Sequence, residues 1–105
     1  MIQWYKYLYV GNNLKKKEKK IRKKLEQKKL LPGVQLITYA SNPKNQLDLI
    51  PAVCIRQHAL YDTLPVIVGI ASDPDEAVEM IRTIAEEVYE KTGDCQIRFY
   101  LEHQK

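Results

Sequence analysis

The sequence predicts an α/β fold: a three-layer α/β/α sandwich on a four-stranded, mostly parallel sheet, in the chain order β-α-β-α-β-α-β. Three observations predict it. The chain contains an internal repeat with a strand–turn–helix pattern, and a weaker unit of the same kind opens the chain. The run PVIVGIA at 65–71 is continuously apolar, as in strands that are covered on both faces. A chain of 105 residues is the size of a single domain, 1–105.

The repeat has an offset of 31 residues and aligns LITYASNPKNQLDLI at 36–50 with IVGIASDPDEAVEMI at 67–81. In each copy, a run that favours β-structure precedes Asn or Asp and then Pro. This order is typical of a helix N-cap followed by proline at the first helical position. Apolar residues at helical spacing come next. Both copies therefore predict a strand, a turn and a helix.

The remaining segments complete the alternation. WYKYLYV, near the start, is rich in strand-forming residues. Gly93 is a helix stop, and apolar and polar residues alternate after it as in a strand with one buried face. The strand order that we expect is 2-1-3-4. The predicted strands are 3–10, 34–40, 65–71 and 95–101, and the predicted helices are 14–30, 43–60 and 74–92.

Pro51 conflicts with the helix predicted at 43–60, because a proline inside a helix costs about 3 kcal/mol. The helix could kink at Pro51, or it could begin late so that Pro51 lies in its first turn. A strand at 52–58 could also replace it, which gives the ferredoxin-like arrangement β-α-β-β-α-β. The repeat favours the helix, and the ferredoxin-like fold is the second hypothesis.

Four segments resemble an uncharacterised family of bacterial proteins of about this length. They are WYKYLYVG, ITYASNP, VGIASDPDEAVEMI and EEVYEKTG. The resemblance covers most of the chain. It implies no activity, so no functional residue is carried over from it.

Charge is distributed unevenly along the chain, whose net charge is +4. Residues 14–30 contain ten Lys or Arg against two Glu, whereas 73–90 contain seven acidic residues against one Arg. Such segments are typical of surfaces that bind partners of opposite charge. They could also pair between two subunits, so a homodimer is one prediction.

The basic segment is a candidate surface for RNA, DNA or an acidic protein. The alternative is a solvated helix face that only keeps the protein soluble. The residues that we select for polyanion binding are Lys16, Lys20, Lys23 and Lys24.

A second candidate site lies where the predicted strands end. Ligands of open parallel sheets bind at the carboxyl ends of the strands, and the helix N-termini there favour anions. A small phosphate or carboxylate ligand is therefore the second binding hypothesis. The alternative is that the Asn and Asp residues only cap helices, and the Asp73 carboxylate itself disfavours an anion. The candidate residues are Gly11, Asn12, Ser41, Asn42, Lys44, Ser72 and Asp73.

No motif indicates catalysis, a cofactor or a metal. The chain has no glycine-rich phosphate loop, and Cys54 and His58 are too few to form a zinc site. Lys6 interrupts the apolar run that a signal peptide needs, and no segment approaches the length of a membrane span. We therefore expect a cytoplasmic protein with reduced cysteines and no membrane partner.

The function that we expect is that of a non-catalytic binding or regulatory domain that acts through protein–protein contacts. Polyanion binding through the basic segment and binding of a small anionic ligand are the two alternatives.

Overall fold

The computed structural model describes residues 2–29, 31–40, 46–56 and 63–103. They form an α/β fold with one four-stranded mixed sheet and three α-helices. Two 3₁₀ segments, Asn12–Lys17 and Ala52–Arg56, connect these elements. The strands are β1 (Trp4–Val10), β2 (Gln35–Tyr39), β3 (Leu47–Pro51) and β4 (Ile67–Ala71), and the helices are α1 (Glu18–Glu26), α2 (Pro74–Thr92) and α3 (Ile97–Glu102).

The sheet has the order β1-β4-β2-β3 instead of 2-1-3-4. Only β1 and β4 pair in parallel, while β2 is antiparallel to both β4 and β3. The prediction of a mostly parallel sheet is therefore wrong. Parallel neighbours need a long crossover connection, whereas the short segment between β2 and β3 is compatible with antiparallel pairing.

The helix predicted at 43–60 is wrong for the part that the structure describes, 46–56, while 43–45 and 57–60 lie outside the described residues. Residues 47–51 form β3, which pairs with β2 from Tyr39 opposite Leu47 to Gln35 opposite Pro51. Pro51 is the last residue of a strand at the edge of the described sheet, a position that tolerates its missing N–H group. The strand is therefore Leu47–Pro51, and the described part of the alternative strand at 52–58 is the 3₁₀ segment Ala52–Arg56. Residues 57–62, where the second helix of the ferredoxin-like order would lie, fall outside the described residues. Two helices, α2 and α3, follow β4, where the ferredoxin-like order would end in a strand.

The final strand predicted at 95–101 is helix α3. Ile97 and Leu101 are buried, while Phe99 between them is 63% exposed. Residues four apart share one face of a helix, whereas in a strand all three side chains would share a face. The alternation that predicts a strand therefore arises from a helix with only two buried positions.

Apolar side chains form two clusters against the sheet. In the first, Ile21 and Leu25 of α1 pack with Ile67 of β4. In the second, Ile84 of α2 packs with Val68 of β4. Ile67 and Val68, which are neighbours in β4, thus belong to different clusters. Ile70 lies in the same cluster as Ile67, so the side chains of β4 do not alternate strictly, and the pairing of β4 with β2 shifts register between Ile37 and Thr38. We call the two clusters the α1 core and the α2 core.

The boundaries of α2 confirm the helix predicted at 74–92. The Asp73 carboxylate accepts a hydrogen bond from the Glu76 N–H at 2.8 Å, and Pro74 is the first helical residue. The helix ends at Gly93, whose φ of 79° is left-handed and whose N–H donates to the Tyr89 carbonyl. The second copy of the repeat is therefore a strand, a turn and a helix, whereas the first copy is a strand followed by a second strand.

Candidate nucleic-acid interface

The basic segment folds as the 3₁₀ segment Asn12–Lys17 followed by α1. Leu14, Ile21 and Leu25 are buried and hold it against the sheet. The cationic side chains therefore face outward. We call this the lysine surface: Lys15, Lys16, Lys17, Lys19, Lys20 and Lys23, which are exposed, with Lys24, which is half-buried.

The two carboxylates of α1 lie on the flank of the helix that is nearest to Trp4. Glu18 pairs with Arg22 at 2.7 Å, and the Arg22 guanidinium lies 5.1 Å from the centre of the Trp4 ring. The Trp4 indole N–H donates a hydrogen bond to Glu26 at 3.1 Å. Both acidic side chains of α1 are therefore engaged, Glu18 by Arg22 and Glu26 by Trp4.

Lys17, Lys20 and Lys24 lie on the opposite flank, at spacings of three and four residues that place them on one side of the helix. Within the described residues, no ion pair involves any of the lysines selected from the sequence, Lys16, Lys20, Lys23 and Lys24. Lys17 likewise has no ion pair within the described residues, so the three lysines make this flank electropositive.

A cleft of about 300 Å³ lies between this flank and the turn Leu31–Val34, and Ser72 also lines it. In the turn, the Val34 N–H donates to the Leu31 carbonyl, and Gly33 has a φ of 84°. Proline followed by a residue with positive φ is the pattern of a type II turn. We call this space the lysine cleft. The basic segment alone does not indicate this cleft, although the Pro32-Gly33 turn signal directly follows it.

The strand-end site is assembled only in part. The Gly11 N–H donates to the Ile70 carbonyl at 2.9 Å, and the Asn13 amide donates to the Ser72 hydroxyl at 3.3 Å, so the segments after β1 and β4 lie together. β2 runs in the opposite direction, because Thr38 near its end pairs with Ile67 at the start of β4. The shared edge expected for all three loops required a parallel sheet. Ser41, Asn42 and Lys44 lie outside the described residues.

The chain's own carboxylates occupy the helix N-terminus at this edge. Glu76 accepts a hydrogen bond from the Ser72 N–H at 2.7 Å, and Asp73 accepts one from the Glu76 N–H. A Cβ atom at Gly11 would overlap the Glu76 carboxylate. This arrangement disfavours an anion, because acceptors already satisfy the N–H groups that it would use. The small-ligand hypothesis stays a prediction.

Tyr5 and Tyr9 of β1 lie in the α2 core instead of beside the lysines. The Tyr5 hydroxyl donates to the Leu101 carbonyl and the Tyr9 hydroxyl donates to Glu87, both at 3.2 Å. Burial, reinforced by Tyr39 and Glu87, raises the pKa of Tyr5 to about 12. Burial and Glu87 also raise the pKa of Tyr9. These two rings are therefore structural and do not extend the lysine surface.

Among the residues that the structure describes, no three His, Cys, Asp or Glu side chains are grouped so that they could hold a metal ion. His58 lies outside that part of the chain. The helices in the same part are too short or too polar to cross a bilayer.

No protein-family model, curated protein or solved structure matches the chain. The resemblance to an uncharacterised bacterial family therefore stays a prediction.

Proposed function

We propose that this protein is a cytoplasmic, non-catalytic domain that binds RNA or DNA through the lysine surface. One observation carries the proposal: the lysines of this surface point outward without ion-pair partners in the described structure, while Glu18 and Glu26 are engaged on the other flank. Folding leaves the positive charge of this segment available to a partner.

A nucleic acid fits this surface better than an acidic protein does. The lysines from Lys17 to Lys24 extend over roughly 10 Å, at about 1.5 Å of rise for each residue. A phosphodiester backbone presents negative charge continuously over such a distance and can satisfy several lysines at once, with release of its counterions. The carboxylates of a folded protein would have to match the position of each lysine. Lysine is also a flexible point charge that suits binding without a fixed geometry.

The two apolar clusters support a three-layer arrangement with α1 on one face of the sheet and α2 and α3 on the other. The acidic residues of α2 would then lie two layers away from the lysine surface, at roughly 10 Å for each layer. This exceeds the Debye length of about 8 Å at physiological ionic strength. The acidic helix would therefore not shield the lysines from a polyanion.

The test is a mobility-shift titration of the protein against total cellular RNA at low and moderate salt. We expect binding that weakens as salt increases, and loss of that binding in the variant Lys16→Gln, Lys20→Gln, Lys23→Gln, Lys24→Gln. If all four lysines neutralise phosphates, the slope of log K against log salt should become shallower by about 3 for a single strand.

Two double variants give a matched control, since each removes two positive charges. Lys20→Gln with Lys24→Gln changes the lysine surface, whereas Lys6→Gln with Lys91→Gln changes exposed lysines elsewhere. We expect a larger loss of affinity in the first pair. Equal losses in both pairs, or no binding at low salt by the unmodified chain, would contradict the proposal.

Exposed apolar side chains favour a second candidate function, protein–protein contact with formation of a homodimer. Val78 and Tyr89 of α2 are 55% and 60% exposed. They are eleven residues apart, which is close to three helical turns and places them on one face. Such a face could be covered by the same face of a second copy.

Light scattering at micromolar concentration tests the homodimer. We expect twice the mass of the chain, and the mass of one chain for Val78→Ser combined with Tyr89→Ser, because the contact would be largely apolar. A single-chain mass for the unmodified protein at low salt would rule this candidate out.

A further inference from the structure

We infer that the lysine cleft selects single-stranded nucleic acid by accommodating one unpaired base. This inference rests on the proposed function and specifies its ligand class. Its basis is the juxtaposition of Lys17, Lys20 and Lys24 with the apolar turn at Pro32 across a cleft of about 300 Å³. A volume of this size is at the lower end of pockets that hold a small ligand, which suits one base and not a larger group.

The walls of the cleft suit the flat face of a base. Leu31 and Val34 are 8% and 9% exposed and form an apolar floor, while Pro32 is exposed at the rim. On the other side, lysine side chains offer aliphatic stems with the ammonium groups held outward. A base between these walls would be in contact with carbon on both faces, and the phosphates on either side of it would lie near the ammonium groups.

Ser72 supplies a polar group to the lining of the cleft. Its hydroxyl accepts a hydrogen bond from the Asn13 amide at 3.3 Å. A hydroxyl that accepts one bond still has its own proton to donate, here to a carbonyl or ring nitrogen at the edge of the base. Every base offers such an acceptor, so a single hydroxyl gives little preference among sequences.

A duplex cannot use the cleft in this way. Its bases are stacked and paired, and only their edges are accessible in the grooves. A duplex could therefore contact the lysines through its phosphates, but no base face would reach the floor at Leu31 and Val34. A single strand would gain the contact with the cleft in addition to the phosphate contacts.

The test measures the contribution of the bases at constant backbone charge. Fluorescence anisotropy compares a labelled 15-nucleotide oligothymidine with a 15-unit abasic oligomer of the same phosphate number and with a 15-base-pair duplex. We expect the oligothymidine to bind about fivefold more tightly than the abasic oligomer, as a few tens of Å² of buried apolar surface would give. Because this difference is not ionic, it should persist as salt increases.

Pro32→Glu places a carboxylate at the rim of the cleft, and it should abolish the difference between the oligothymidine and the abasic oligomer. Gln27→Glu adds the same charge at an exposed position directly after α1, outside the cleft. It should lower the affinity for the oligothymidine and for the abasic oligomer by the same factor. Pro32→Ala is compatible with the turn and removes only the ring. It should therefore reduce, but not abolish, the difference in affinity between the oligothymidine and the abasic oligomer. Thermal melting checks that each variant is folded.

The possible outcomes separate the two proposals. If neither oligomer binds at low salt, the proposed function fails. If both bind equally and the lysine variants abolish binding, nucleic-acid binding stands and the role of the cleft is overturned. Binding of polyglutamate of equal charge as tightly as oligothymidine, with the same sensitivity to Pro32→Glu, would also overturn it and indicate an acidic protein partner.

Discussion

Leu25→Ala is expected to lower the free energy of unfolding by about 3–5 kcal/mol, the range for removing a fully buried leucine from a well-packed core. The Leu25 side chain is 0% exposed and lies in the α1 core. α1 has only nine residues, and isolated helices shorter than about 12–15 residues are marginal in water. Because α1 depends on packing, this substitution should also disorganise the lysine surface that it carries.

Urea denaturation followed by tryptophan fluorescence measures this effect. Trp4 is the single tryptophan of the chain, and its indole contacts α1 through Arg22 and Glu26, so its emission reports on the affected region. Leu49→Ala is the control, because Leu49 is 37% exposed and should cost about 1 kcal/mol or less. Equal losses of stability for the two variants would show that α1 does not depend on this contact. RNA binding should fall in Leu25→Ala in parallel with the loss of helix, and it should be unchanged in Leu49→Ala.

The parts of the fold that local chemistry determines could be predicted from the sequence. Asp73, Pro74 and Gly93 specify the start and the end of α2 by hydrogen bonding and backbone preference within a few residues. The lysines of the basic segment could likewise be placed on the surface, because a charged side chain without a partner is rarely buried.

The first copy of the repeat shows where such local signals fail. Its Asn-Pro pair resembles the start of α2, but Leu47–Pro51 forms β3 because it pairs with β2. This pairing joins residues up to 16 positions apart, Gln35 and Pro51, and no short-range signal encodes it. The C-terminal segment is ambiguous for a different reason. Buried residues at 97 and 101 satisfy both a helical and a strand period, and their packing in the α2 core decides between them.

The candidate sites also differ in whether one segment forms them or several elements must pack together. The lysine surface is local to one segment, so the sequence could indicate it. The lysine cleft needs a second wall at Leu31–Val34 and Ser72 from the end of β4, and it depends on how these elements pack. The strand-end site depended on the direction of β2, which is a property of the whole sheet.

A fall in stability at high pH is the second large effect that we expect. Burial raises the pKa of Tyr5 to about 12 and also raises the pKa of Tyr9, so the folded state favours the neutral hydroxyls. The ordinary value is about 10 in an unfolded chain. The resulting stability is therefore fully present below pH 10 and is lost as the pH rises from about 10 to 12. In this range, the free energy of unfolding should fall by up to about 1.4 kcal/mol per pH unit for each tyrosine.

Urea denaturation at pH 8 to 11 should distinguish the contribution of these two tyrosines from that of other groups. Tyr5→Phe combined with Tyr9→Phe removes two hydrogen bonds, which should lower the free energy of unfolding at pH 8 by about 1 kcal/mol each. Above pH 10, the free energy of unfolding of this double variant should fall much less steeply with pH than that of the unmodified protein. Tyr7→Phe is the control, because Tyr7 is 41% exposed and should keep the slope of the unmodified protein. An equally steep fall in the double variant would show that other groups cause the alkaline transition. A shallower fall in the free energy of unfolding would show that Tyr5 and Tyr9 are neutral parts of the α2 core, as their burial and hydrogen bonds predict.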